Sequence, residues 1–586
     1  MKPGVAFGDY IKTETENELS MRGFLFPIFT VIVVGVLVVK LISLQLLQGA
    51  SYRNLSDNNR IRTEIIHAPR GVIFDRNNIP LVFNVPGFRK TVGGKTVLID
   101  RKKALELIAK GGNDLEIDSH RQYPYKEEMA HVLGYIGQIS KEELGNLQFK
   151  DYRISDMVGK TGIEKNYESL LKGIDGKKLV EVDSRGVPIR TLGQTDATPG
   201  NDITLAIDAK LQSVAFNALS RVKKGAVVVS TLNGEILVVV SKPSFDSNLF
   251  TLGEGYKSSE SSYLNVSDVL TDSENQPFLN RAISGTYPPG STFKLITAAA
   301  GLEGKFIDEN FEVEDTGILQ VGAFSFGNWY FLQYGKTEGM VNVVKGIKRS
   351  NDIFFYKLAE KVGVDKISQM AKKFGLGERL GIDLEGEAKG IVPTPDWKKE
   401  VIGEPWYLGD TYHYGIGQGY VLATPLQVNM WTAVIANKGI LYRPHLLKNS
   451  AFAKASADKQ KFLSNKTVGL IREGMVQSCS PGGVGWPLFE FKVKSEKLKV
   501  DGKNFFEVPQ STVSASFKDY RRISIACKTG TAQHGGEKDV PHAWITLFAP
   551  AYDPQIIITV LAESSGEGSN IAAPIAKKIL EEWFNR

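Results

Sequence analysis

Residues 23–39 read GFLFPIFTVIVVGVLVV without a single charge, and after Lys40 the run continues as LISLQLL. About 20 apolar residues cross the hydrocarbon of a bilayer as a helix, so this stretch commits one end of the chain to a membrane. Lys40 can extend its ammonium to the interface while its methylenes stay in apolar surroundings. A cleaved leader would end in a small-x-small site. Here a polar start of 22 residues precedes the apolar run, which passes directly into LQLLQGASY, and this predicts a retained single-pass anchor. The flanking charges do not orient it: Lys2, Lys12 and Arg22 stand against Asp9, Glu14, Glu16 and Glu18 on one side, and Arg53, Arg60 and Arg62 lie on the other.

The remaining chain is too long for one core. Single cores stop growing near ~250 to 300 residues, and 586 residues therefore imply at least two water-soluble domains behind the anchor. With 71 basic and 65 acidic residues the net charge is only +6, and no long basic block marks a nucleic-acid-binding arm. Cys479 and Cys527 are the only cysteines, too few for a disulfide framework and not at metal-ligand spacing. One bridge between them stays open, but the reading favours packed thiols. The seven histidines are scattered without an H-E-x-x-H pattern, so no metal or other cofactor is expected. Gly159-Lys160-Thr161 is not a phosphate loop, because Ile154 stands where the first glycine is required; Gly415-Ile-Gly417-Gln-Gly419 does not fit the dinucleotide pattern.

Residues 49–205 mix short β-like runs, such as GVIFDRNNIPLVFN at 71–84, with amphipathic helical ones, such as KEEMAHVLGYI at 126–136. They read as an α+β module. Residues 192–202, LGQTDATPGND, are rich in Gly, Pro, Thr and Asp and read as a linker. Beyond it, GAVVVSTLNGEILVVVSKP at 225–243 is two apolar runs joined by Leu-Asn-Gly, a hairpin signal. Helical patterns follow at 291–303, 352–373 and 424–437, then strand-like RISIACKTGTA, HAWITLFAP and IIITVLAE, then a closing helix at 571–585. Strands at both ends with helices between them predict a sheet that joins early and late strands.

Chemistry concentrates in three short segments. In YPPGSTFK, the run Pro288-Pro289-Gly290 places Ser291 at a helix start, with Lys294 three residues on and on the same face. A hydroxyl needs a base beside it to attack a carbonyl, and a lysine in a dry pocket can have its pKa lowered enough to serve. Alone, S-x-x-K is as well explained by a helix cap and a surface lysine. However, Ser350-Asn351-Asp352 follows at the head of DIFFYKLAEKVG, and Lys528-Thr529-Gly530-Thr531 lies on a late β-like run, which completes the motif set of serine enzymes that react with β-lactams.

With these motifs in order, the chain resembles a class B penicillin-binding protein, and most of all the penicillin-binding protein 2 group of the cell-elongation machinery. Supporting stretches are LSDNNRIRTEII, APRGVIFDRN, GKTGIEKNYESLLKGIDG, TLAIDAKLQ, GIDLEGEAKGIVPTPDWK, GDTYHYGIGQGYVLATPLQ and KTGTAQ. The fold the resemblance implies is α+β and multidomain. Residues 1–22 would be a cytoplasmic tail, 23–48 the transmembrane anchor and 49–205 a pedestal or dimerisation-type module. Residues 206–586 would be a transpeptidase domain with an antiparallel sheet between helical layers.

The resemblance further implies a peptidoglycan D,D-transpeptidase that binds penicillin covalently and carries D-Ala-D-Ala carboxypeptidase as a side activity. Ser291 would be the nucleophile, Lys294 its base, Ser350 a proton relay and Lys528 a catalytic cation. Asp352, Thr529, Gly530 and Thr531 would bind substrate, and the backbone N–H groups of Ser291 and Thr531 would form the oxyanion hole. Implied partners are stem peptides, β-lactams, the membrane, a SEDS-type glycosyltransferase and other elongation proteins, with the catalytic domain outside the inner membrane. Asp352 stands where many relatives have Asn, a substitution of the elongation subgroup; DRNN at 75–78 replaces the usual DRNG turn, and the region between Phe88 and Tyr123 is short. Trp406, Tyr407, Tyr412, Tyr414 and Tyr420 either line the cleft or pack a loop. A β-lactamase or dedicated carboxypeptidase is disfavoured by the anchor and the long module. A noncatalytic sensor or scaffold is disfavoured by the complete motif set, and a division-type transpeptidase remains the alternative.

Overall fold

The computed structural model describes residues 16–50, 52, 60–92, 95–99, 101–110, 115–146, 152–154, 156–183, 187–252, 256–259, 261–448, 461–494, 520–535 and 539–586. Most of the predicted tail at 1–22 lies outside them. The chain divides into two compact units, Met1–Ala68 with Ile174–Thr198, and Pro69–Gly173 with Pro199–Arg586.

The first unit contains the helix Glu16–Ile42, which continues in a π-turn at Ser43–Leu47. Its stretch Leu25–Leu47 is apolar, unburied and long enough to span a bilayer. The unit also holds an antiparallel sheet of Ile61–Ile66, Gly176–Val182 and Pro188–Thr195. The segment read as a linker therefore begins inside a sheet, because residues 193–195 pair with the preceding strand and Leu192 lies at a bulge in it.

In the second unit, residues 69–173 form short elements around a buried ionic cluster. Arg70 and Arg121 both bond Glu164, at 2.6 and 2.7 Å, and Arg70 also bonds Glu168. Buried charges persist only when paired in this way. The run at 126–136 is not one helix. It is a 3₁₀ turn Lys126–Glu128 and a single turn Ala130–Leu133, after which Gly134 (φ 72°) redirects the chain into the strand Ile136–Gln138. The DRNN turn keeps its shape because Asn78, which tolerates the left-handed region better than most residues, sits there at φ 62°. Asp75 closes the turn by accepting from the N–H groups of Asn77 and Ile79.

The rest of this unit is built on five strands: β1 (Gly225–Ser230), β2 (Ile236–Lys242), β3 (Ala526–Ala532), β4 (His542–Ala549) and β5 (Ile556–Ala562). Their order is β2-β1-β5-β4-β3, antiparallel throughout, which joins early and late strands as expected. Six helices flank them: α1 (Ala209–Ala218), α2 (Lys294–Glu303), α3 (Asp352–Val362), α4 (Pro425–Ala436), α5 (Asn465–Ser478) and α6 (Ala572–Phe584).

Both faces of the sheet are covered, so nearly every residue of its strands is buried rather than alternate ones, and most are apolar. Along β1, Val227 and Val229 enter one core with α1 and α6, and Ala226 and Val228 enter the other with α2, α3 and α4. Each fully buried valine contributes about 1.5 to 3 kcal/mol. Most polar groups in this interior are satisfied: Asn429 on α4 donates to Val228 O, and Thr432, Thr546 and Thr559 form a chain of hydroxyls, while Trp431 Nε1 on α4 has no partner among the described residues. The predicted helix at 352–373 is interrupted, because Gly363 (φ 81°) ends α3 and a second helix, Val364–Lys373, begins.

Candidate active site

Pro289 and Gly290 lead into a 3₁₀ turn, Gly290–Phe293, that runs directly into α2. In a 3₁₀ turn residues i and i+3 eclipse, which stacks Ser291 and Lys294 on one side. Three contacts pin the turn. Trp544 Nε1 on β4 donates to Pro288 O (3.0 Å), Thr292 Oγ1 donates to Pro289 O (2.8 Å), and Gly290 N donates to Gly417 O (2.8 Å). Gly417 (φ 78°) has no alternative here, since a Cβ would lie 2.1 Å from Gly290 O. Gly290, Thr292, Phe293 and Lys294 are buried, whereas Ser291 is half-buried, so its hydroxyl remains within reach of a ligand.

Lys294 is wholly buried, and its ammonium donates to Ser350 O (2.8 Å), Ser350 Oγ (3.3 Å) and Asp352 Oδ1 (2.7 Å). Lys528, equally buried, donates to the same Ser350 Oγ (2.9 Å) and to Thr529 O (2.8 Å). The Ser350 hydroxyl thus bridges two lysines, as a relay between them requires. Burial lowers the pKa of Lys294, and the charge of Asp352 partly restores it. Lys528 falls well below an ordinary lysine. Burial is the first cause, the like charge of Lys294 adds to it, and Asp352 opposes more weakly. Two ammonium groups crowded around one hydroxyl titrate as a pair rather than singly.

Ser350 ends the helix Val343–Arg349 in the left-handed region (φ 54°, ψ 38°), and Asn351 then caps α3 by accepting from Phe354 N (2.9 Å). Asp352 is held from both sides, with Oδ1 on Lys294 and Oδ2 accepting from Trp329 N (3.0 Å); its own N–H donates to Asn328 Oδ1 (3.1 Å). Asn328 and Trp329 belong to no motif in the sequence. Only the fold brings them to Asp352.

On β3, Thr529 is buried, Thr531 is exposed, and Gln418 donates to Thr531 O (3.4 Å). A Cβ on Gly530 would lie 3.1 Å from Pro289 O, so this strand lies directly against the serine turn. The structure therefore gathers Ser291, Lys294, Ser350, Asp352, Lys528, Thr529, Gly530 and Thr531 in one place. The aromatic residues divide: Tyr412 and Tyr414 are core, while Trp406, Tyr407 and Tyr420 keep some exposure.

The two cysteines are not packed thiols; Cys479 and Cys527 form a disulfide with Cα atoms 5.7 Å apart. Strand alternation does turn Cys527 away from Lys528, and on that side it meets Cys479, the C-cap of α5.

An antiparallel sheet between helical layers, with a serine–lysine turn facing a second serine and a Lys-Thr-Gly strand, defines an acyl-transferring serine enzyme of the penicillin-reactive class. Residues 224–581 match the family model of the penicillin-binding protein transpeptidase domain, and residues 111–205 match that of the penicillin-binding protein dimerisation domain. The chain belongs to the penicillin-binding protein transpeptidase family. It is 32% identical over 632 residues to the peptidoglycan D,D-transpeptidase MrdA of Acinetobacter baumannii, an alignment that covers 98% of this chain and 89% of that protein. Against the protein of the same name from Escherichia coli K12 the identity is 30% over 646 residues, covering 99% and 96%. Pseudomonas aeruginosa penicillin-binding protein 2, crystallised with WCK 5153, superposes with a TM-score of 0.66 at 32% identity, covering 89% of this chain and 96% of that one. Helicobacter pylori penicillin-binding protein 2, solved with MreC, gives a TM-score of 0.71 at 27% identity, covering 89% and 98%.

Proposed function

We propose that this chain is a membrane-anchored peptidoglycan D,D-transpeptidase of cell-wall elongation and cell-shape maintenance, with Ser291 as its nucleophile. The observation that carries the reading is the meeting of Lys294 and Lys528 at Ser350, beside a half-exposed Ser291. Ser291 Oγ attacks the carbonyl of the penultimate D-Ala as neutral Lys294 takes its proton. The backbone N–H groups of Ser291 and Thr531 stabilise the oxyanion. Collapse breaks the C–N bond, and Ser350 passes a proton to the departing D-Ala amine. The amine of a second stem peptide then takes the acyl group, or water does in the carboxypeptidase side reaction.

The electrostatics suggest how the base is freed. Lys528 and Thr529 face the terminal carboxylate of the donor, and that negative charge favours the charged form of Lys528. A charged Lys528 in turn disfavours charge on Lys294, and the hydroxyl of Ser350 gives a proton a route from one to the other. Substrate binding thereby helps to make the base.

The disulfide supports a location outside the cytoplasm, since such bonds persist in oxidising compartments. With residues 23–48 as the anchor, residues 49–205 would form the pedestal and 206–586 the catalytic domain. A further relative, at TM-score 0.70 and 26% identity over 96% of this chain and 98% of that one, comes from a structure described as a peptidoglycan synthase complex that coordinates polymerisation and crosslinking. By that likeness and the MreC complex, this chain works with an MreC-type protein and a SEDS-type polymerase. The test is labelling with a fluorescent penicillin followed by intact mass. One covalent adduct on wild type and none on Ser291→Ala is expected; folded wild type that forms no adduct overturns the reading.

A further inference from the structure

Behind the second-serine motif lies a carboxylate that the reaction scheme above does not use. Asp315 ends the strand Glu312–Asp315 and is 3% exposed. Its Oδ1 accepts from Gly317 N (2.9 Å), and its Oδ2 accepts from Asn328 Nδ2 (2.9 Å), Asn351 Nδ2 (2.8 Å) and Glu338 N (3.0 Å). All four of these partners are neutral N–H groups. A buried carboxylate is costly unless it is fully hydrogen-bonded, and four donors meet that requirement.

A carboxylate is acceptor-only, and that property decides what its neighbours must do. Asn328 and Asn351 can each present either an oxygen or an NH₂ group. Facing Asp315, both must present the NH₂, and so both carbonyl oxygens point the other way. The Asn328 oxygen then accepts from Asp352 N (3.1 Å), and the Asn351 oxygen caps α3 at Phe354 N (2.9 Å). Ser350 directly precedes Asn351 and takes a left-handed conformation that a residue with a Cβ seldom adopts.

We propose that Asp315 is a positioning residue: by fixing the amide orientation of Asn328 and Asn351 it holds Ser350 and Asp352 where Lys294 and Lys528 can use them. The proposal rests on the transpeptidase reading. Asp315 touches neither substrate nor reacting atoms and acts through the two asparagines.

The substitution Asp315→Asn keeps the size but turns an NH₂ toward at least one of the donors. The maximal acylation rate with a fluorescent penicillin falls by about 10- to 100-fold, while the noncovalent affinity that precedes it is unchanged. Asn328→Ala serves if the first variant does not fold, since it leaves Asp315 its bonds to Gly317, Glu338 and Asn351 and removes the amide that links Asp315 to Asp352 N; it loses rate by a similar factor. Wild type labelled in parallel separates this inference from the reading beneath it, because wild type that does not acylate sinks both. If wild type acylates and a folded Asp315→Asn or Asn328→Ala protein does so equally fast, the positioning role is wrong. It is also wrong if the loss falls on the noncovalent affinity that precedes acylation and leaves the maximal rate unchanged.

Discussion

Asp352→Asn isolates the influence of one charge on the base. The carboxylate lies 2.7 Å from the ammonium of a lysine that is wholly buried, and its own side chain is 12% exposed. It therefore acts on Lys294 with little screening. An opposite charge this close supports the charged form, and its removal leaves burial, already the largest influence on Lys294, unopposed. The sign follows from the role. Catalysis needs neutral Lys294, a lower pKa makes it neutral at lower pH, and the acid limb of the acylation profile moves to lower pH. Stability moves the other way. Asn can accept from Lys294 or from Trp329 N but not from both, a loss of about 1 to 3 kcal/mol. That deficit is greatest at low pH, where both folded proteins hold Lys294 charged; it shrinks as pH rises from the variant's folded Lys294 pKa to that of wild type, and above that only the lost hydrogen bond remains. Rapid mixing with a fluorescent penicillin between about pH 5 and 10 measures the first effect, and urea unfolding at the two ends of that range measures the second. An acid limb that stays in place or moves upward refutes the assignment of Lys294 as the base.

Two more outcomes follow from the same site. Replacing Cys479 and Cys527 by Ala opens a loop closed across a sequence separation of 48 residues, which destabilises the folded chain by about 4 kcal/mol on chain-entropy grounds. Guanidinium unfolding reads this, and a change below about 1 kcal/mol would contradict it. Gly417→Ala drives a Cβ to 2.1 Å from Gly290 O, so the serine turn must shift, and acylation slows by about 100-fold. An unaltered labelling rate would show that the turn is not under that constraint.

The reactive groups were legible because each lies in a short motif whose local structure is also local in cause. Pro288-Pro289-Gly290 starts a helix, and the strand carrying Lys528 announces itself by its apolar residues. Element types could be read while their interruptions could not. Gly363 and Gly134 break predicted helices through positive φ, a property of the backbone that the apolar periodicity does not encode. The disulfide was missed because pairing across 48 residues depends on which end of α5 meets which face of β3. Asp315, Asn328 and Trp329 were invisible for the same reason. They lie 35, 22 and 21 positions before Ser350, at the end of a short strand and the start of a short helix that resemble any others, and they acquire their meaning only when the chain closes around the motif.

The strand that carries Lys528 is the last in its sheet, and among the described residues no further strand flanks β3. An outermost strand offers a row of backbone groups to any extended chain, and most proteins blunt such edges because they invite aggregation. Here that edge runs beside the serine turn, with the Thr529 and Thr531 carbonyls accepting, among the described residues, only from the side chains of Lys528 and Gln418. A peptide that adds itself to an edge is gripped by its backbone, with little regard to its side chains. Identity then has to be read by groups off the sheet, so inhibitors that copy only the shape of a backbone can enter through the same opening as the wall.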